Sequence, residues 1–190
     1  MNDEHIEILN SDGWRELLTD LIVPWALGDV DLGDDLLEVG PGPGLTTDLL
    51  HLRTERLTAV EIDEGLATDL AHRFAGTNVE VVPADATSMP LPDGRFSGAV
   101  CFTMLHHVPT VALQDALFAE VARVLRPGAV FVASDSVKSD DLEALHTNDI
   151  YNPVDPDTVP ARLAAAGFVD IEVEANAFGW RARASRAITG

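Results

Sequence analysis

"LLEVGPGPGL", residues 36–45, is an apolar run broken by alternating glycine and proline. Residues 40–44 read Gly-Pro-Gly-Pro-Gly. Proline lacks an N–H and glycine does not restrict its own backbone, so neither helix nor strand continues through such a stretch. The chain must turn sharply after Val39. The turn carries almost no side chains, which suits a backbone against which a ligand presses. A carboxylate, Glu38, stands just ahead of it.

Outward from this turn, short apolar runs alternate with helical patterns. Before it, "DDLLEV" reads as a buried strand, and a helix opens near Leu45 and Thr46. "RLTAVEID" is a second strand that ends in acids, and a helix follows over roughly 64–74. "NVEVVPADA" and "FSGAVCF" are the third and fourth strands. Residues 111–125 place Leu113, Leu117, Val121, Val124 and Leu125 on one helical face, and "RPG" at 126–128 stops that helix. "AVFVASD" is a fifth strand; "PARLAAAGF" ends a further helix at Gly167. Strands over 168–175 and 178–187 follow, joined by a tight turn at Asn176–Ala177. Upstream, Trp14, Leu17, Leu18, Leu21, Ile22 and Trp25 form one amphipathic face over 14–25, with Ser11 or Asp12 as its cap.

Alternating strands and helices imply right-handed crossovers. The fold class is therefore α/β, a doubly wound, mostly parallel seven-stranded sheet with helices on both faces. The short last connection demands a hairpin, so the final strand runs antiparallel. One domain over 1–190 is expected, with a helical cap at 1–30 and the polar stretch 136–156 as a lid or acceptor loop.

Composition limits the functions available. Hydrophobic residues make up 46% of the 190, typical of a globular chain. Thirty-two acids against 12 bases give a net charge of −20, and Lys138 is the one lysine. That field repels phosphate polyanions, so nucleic acid is not expected as a partner. Arg181 and Arg183, with Arg186 further on, alternate with Phe178, Trp180 and Ala182, as on a half-buried strand with a solvated face. The opening "MNDEHIEILN" carries acids where a signal peptide carries base, and no apolar run reaches membrane-spanning length. A cytoplasmic chain without a membrane is expected. Cys101 is the sole cysteine, in a run that reads as a buried strand, and no metal-ligand spacing stands out, so no metal is expected.

In an open α/β sheet, ligands bind beyond the carboxyl ends of the strands. The glycine turn follows the first strand, Glu61 ends the second, Asp85 follows the third, and Cys101–Phe102 end the fourth. One bare turn and two separated carboxylates outline a site for a nucleoside-bearing ligand. A strand-end acid such as Glu61 can accept both hydroxyls of a ribose, with Asp63 as its neighbour and competitor. Asp85 can accept from an exocyclic amine. A dinucleotide fingerprint is G-x-G-x-x-G, whereas this run is G-x-G-x-G with Leu45 in the last place. Glu38 would also set negative charge against a pyrophosphate. A ligand with an ammonium group and a positively charged sulfur suits the turn better than NAD.

"LLEVGPGPG" together with "AVEID", "PADATSMPLPDGRFSGAV" and "LHHV" resembles the class I S-adenosylmethionine-dependent methyltransferases, in the small-molecule branch similar to the quinone-biosynthesis C-methyltransferases. The resemblance implies S-adenosyl-L-methionine as cofactor and a small-molecule methyl acceptor. It implies that Gly40, Pro41 and Gly42 lie along the methionyl and ribose parts, and that Glu38 and the Cys101 carbonyl hold the ammonium. Glu61 would take the ribose hydroxyls, Ile62 would pack on the adenine, Asp85 would accept from its amine, and Ala86 would contact the ring. The asparagine-proline-proline-aromatic tetrad of amino methylation is missing, as is a Pro-Cys pair for pyrimidine carbon methylation.

Methyl transfer needs alignment more than a catalytic group. A base matters where the acceptor is a hydroxyl or an acidic carbon. His106, then His107, is the candidate, just past the fourth strand; His146 and Tyr151 are further ones. The competing readings are a cofactor-binding module or partner subunit without turnover, and a nicotinamide oxidoreductase.

Overall fold

A computed structural model describes residues 7–8, 11–177 and 179–188. The acids of residues 1–6 and Phe178 lie outside the described residues. Seven strands form one sheet: β1 (Asp35–Val39), β2 (Arg56–Glu61), β3 (Val79–Pro83), β4 (Phe96–Phe102), β5 (Leu125–Ser136), β6 (Phe168–Ala175) and β7 (Gly179–Arg186). Their order is β3-β2-β1-β4-β5-β7-β6. β7 pairs antiparallel with both β5 and β6, and the other pairings are parallel. The expected antiparallel last strand is thus present, slotted between β5 and β6.

β1 is buried along its whole length, which is why its sequence shows no alternation of apolar and polar residues. Its side chains still alternate between two cores. Leu37 and Val39 join Val60, Ala99, Cys101, Phe131 and Ala133 on one face. Leu36 joins Leu57, Ala59, Val100, Phe102 and Val132 on the other. The strand order reverses between β1 and β4, so the crossovers leave in opposite directions and a crevice opens above the carboxyl ends there.

The helices are α1 (Asp12–Leu17), α2 (Val23–Leu27), α3 (Leu45–Leu50), α4 (Glu64–Arg73), α5 (Val111–Val124), α6 (Asp140–Leu145) and α7 (Val159–Ala165). Ser11 caps α1 by accepting the Trp14 N–H at 3.2 Å. The single amphipathic face expected over 14–25 is corrected by a π-helical turn, Leu18–Ile22, between α1 and α2. Pro24 lacks the N–H that an α-helix would return to the preceding turn, and the wider turn before it rotates the face. Leu18, Val23, Ala26 and Leu27 are buried, whereas Leu17 and Leu21 stay 41% and 62% exposed.

The arginines of β7 are likewise more than a solvated face. Arg183 donates to the Ala26 carbonyl at 2.9 Å, and Arg181 donates to the Trp25 carbonyl, satisfying the end of α2. Residues 136–156, expected to be loop, contain α6. No helix among the described residues is long and apolar enough to cross a membrane.

Candidate active site

Above the β1–β4 crevice lies a cleft of about 320 Å³. One wall is Gly40–Pro43, Leu45 and Thr46 with Glu61, Ile62, Asp63 and Leu66. The other is Trp14, Leu18, Phe102, Thr103, Met104, His107 and Pro109, with Asp149 and Ile150.

The turn is held by bonds to its backbone, from other backbone groups and from the side chains of Arg73 and Glu61. The Gly40 N–H donates to the Val60 carbonyl and the Gly44 N–H to the Pro41 carbonyl, both at 2.9 Å. From α4, Arg73 donates to the carbonyls of Pro43 and Gly44 at 2.8 and 2.7 Å. Gly40 and Gly42 have φ of +66° and +54°, a region that side chains disfavour. A Cβ on Gly40 would sit 2.6 Å from Met104 Cγ, whereas one on Gly42 would meet nothing within 4 Å. Gly40 is glycine for want of room, and Gly42 leaves open space in the cleft.

Glu61 faces this space from the end of β2. One carboxylate oxygen accepts the Gly42 N–H and the other the Asp63 N–H, each at 3.0 Å. Each oxygen keeps a second lone pair, so the group is oriented without being exhausted. Asp63 spends Oδ1 on the N–H groups of Gly65 and Leu66, capping α4. A side-chain-free turn beside an oriented carboxylate fits the sugar of a nucleoside, and the apolar walls fit its base. Ile62, 68% exposed, lines the same wall.

Five expected site residues are absent from the described walls of the cleft. Glu38 lies beneath the turn, where Thr46 and Thr47 (at 2.7 Å) donate their hydroxyls to its two oxygens. Burial, opposed by those hydroxyls, pushes its carboxyl up to about 7. Asp85 is exposed and turns back to accept the N–H and hydroxyl of Thr87, both at 2.8 Å. Ala86 and Cys101 belong to the core, where burial drives the thiol well above its ordinary range.

His106 sits behind the wall. Its Nδ1 meets Asp135 Oδ1 at 2.6 Å, and its backbone N–H donates to Asp135 Oδ2 at 2.9 Å. Burial works against the imidazolium, but the Asp135 charge and hydrogen bond outweigh it and raise the pKa. Burial would likewise raise Asp135, yet His106 and the hydrogen bonds hold it low. The histidine facing the cleft is His107.

Thr103 is a wall residue without a signal in the sequence. A β-branched residue at φ +53° costs about 1–2 kcal/mol, and its N–H, bonded to the Ser134 carbonyl at 2.8 Å, helps hold it there.

The family model described as a methyltransferase domain matches residues 37–133. A probable S-adenosylmethionine-dependent methyltransferase of Mycobacterium tuberculosis is 28% identical over 144 residues, 72% of this chain and 49% of the relative. A ribosomal RNA small subunit methyltransferase A of Koribacter versatilis is 45% identical over 67 residues, 35% of this chain and 23% of the relative. The chain spans about half or less of the length of these curated relatives. Among solved structures, N-methyltransferase NodS of Bradyrhizobium japonicum in complex with S-adenosyl-L-homocysteine superposes with a TM-score of 0.72 at 17% identity. The match covers 97% of this chain and 93% of that one, and shows a shared fold.

Proposed function

The chain belongs to the methyltransferase domain family, as an S-adenosylmethionine-dependent methyltransferase domain, and on that premise we propose that it methylates a small-molecule acceptor by in-line displacement. The observation that carries the reading is Glu61: a carboxylate oriented by two backbone N–H groups at the edge of a side-chain-free turn. Glu61 would hold the ribose hydroxyls, Gly40, Pro41 and Gly42 would lie along the methionyl arm, and Ile62 would cover the base. Asp63 is the second acceptor within the same wall. Glu38 would act through Thr46, which lines the cleft, rather than by touching the ammonium. When bound, S-adenosylmethionine supplies an activated methyl on a positive sulfur. The protein's part is to align the acceptor and exclude water, for which Trp14, Leu18, Phe102 and Met104 form an apolar wall.

A small acceptor, neutral or cationic and partly apolar, suits that wall and the net charge of −20. Asp149 and Ile150 bring the segment 136–156 to the cleft, as an acceptor loop requires. His107, which lines the cleft, would face the acceptor, and His106 would orient the turn that carries it. Calorimetric titration with S-adenosylhomocysteine and with NADH is the test. Binding of the first alone supports the reading, and binding of NADH alone overturns it. Methyl transfer to ribosomal RNA fragments and not to small amines, phenols or thiols would overturn the acceptor class. Cofactor binding without turnover on either set would favour a non-catalytic module.

A further inference from the structure

The fold brings His146, at the end of α6, to the adjacent His106 and His107 of the turn Leu105–His107. Ring centroids of His106 and His107 lie 4.2 Å apart, those of His106 and His146 5.0 Å, and those of His107 and His146 5.2 Å. One nitrogen from each ring falls within 4.8 Å of the other two.

Two of the rings are held as metal-binding histidines are held. His106 presents Nδ1 to Asp135 at 2.6 Å, and His146 presents Nδ1 to the Leu142 carbonyl at 2.6 Å. A neutral imidazole that donates through Nδ1 keeps its lone pair on Nε2. Carboxylate and carbonyl acceptors behind the ring are the usual outer partners of such ligands. Asp135 is itself fixed, by the N–H groups of His106 and Ser136. Tyr151 stacks on His146, with ring centroids 4.5 Å apart.

We propose that His106, His107 and His146 form a binding site for a divalent first-row transition-metal ion at the wall of the cleft. Three imidazoles suit zinc, cobalt, nickel or copper rather than magnesium or calcium. Three protein ligands also leave a position for an exogenous oxygen, nitrogen or sulfur, as in catalytic zinc sites. His107 lines the cleft, so an ion there lies beside the proposed acceptor, whose hydroxyl or thiol it would hold and acidify. That role rests on the proposed function; metal binding does not.

Untagged protein, stripped with chelator, is titrated with Co²⁺ and followed by its visible absorption, then chased with Zn²⁺. The expected result is a visible band that saturates at one equivalent and is lost on addition of Zn²⁺. His107→Ala and His146→Ala should each weaken Co²⁺ binding by about tenfold or more, and Asp135→Asn by about 10–100-fold. Circular dichroism of each variant checks folding, and the partly exposed His107 is the safeguard if His146→Ala unfolds. No saturable Co²⁺ binding by the wild type, or equal binding by folded His107→Ala, overturns the site. S-adenosylhomocysteine affinity, measured alongside, separates the two claims. Co²⁺ binding lost in the variants supports the metal site even where the nucleoside ligand fails to bind.

Discussion

The two walls of the cleft are built in different ways. The wall of the glycine turn and Glu61 draws on Gly40 to Leu66, two successive strand ends and the turns that follow them. Its functional groups are backbone N–H groups and one carboxylate, fixed by local hydrogen bonds. The facing wall gathers Trp14 and Leu18, Phe102 to Pro109, and Asp149 and Ile150 from three distant parts of the chain. It is held by long-range ties: Arg181 and Arg183 of β7 on the end of α2, and Asp135 of β5 on His106. On the proposed function, a wall made of backbone next to strand ends would serve the cofactor common to all such reactions, and a wall assembled from afar would be free to vary with the acceptor.

The largest effect should follow from filling the near wall. Gly42→Val adds atoms where a Cβ meets nothing, at a φ that costs about 1–2 kcal/mol. Calorimetry should show S-adenosylhomocysteine binding abolished while urea unfolding records only that small loss. Retained binding would break the assignment of this wall. Glu61→Ala comes next. It removes two hydrogen bonds to a charged acceptor, about 3 kcal/mol or roughly a hundredfold in affinity by the same titration.

Glu38→Gln tests the layer beneath the turn. Burial raises the Glu38 carboxyl to about 7, above its ordinary 4.5. The folded state therefore keeps a proton that the unfolded chain loses between those values, and stability falls as pH rises through the window. Gln cannot ionise, so the variant should gain on the wild type by up to about 3 kcal/mol between pH 5 and pH 8 in urea titrations. A gap independent of pH would contradict this burial. On the far wall, Arg183→Ala removes the bond to the Ala26 carbonyl and should cost about 1 kcal/mol in the same assay.

Much of the near wall was legible because its causes are local. Glycine and proline dictate the turn, and an acid ending an apolar run marks a strand end whose neighbours the βαβ rule supplies. The doubly wound, mostly parallel sheet followed from the alternation of strands and helices, and the antiparallel β7 from its short connection. Where each acid points was less legible. Glu38 and Asp85 occupy comparable strand-end positions to Glu61, yet Thr46 and Thr47 take the first and Thr87 the second. The side-chain pattern of 14–25 concealed a π turn, because that turn rotates the face without changing the composition. His146 could not be tied to His106 and His107 by spacing, since only the fold brings α6 to the end of β4.

The most direct measurement is a crystal structure of the chain with S-adenosylhomocysteine. The account predicts both ribose hydroxyls within about 3 Å of the Glu61 carboxylate, with the homocysteine arm along Gly40–Gly42. A ligand seated elsewhere, with Glu61 touching only its own backbone partners, would contradict it.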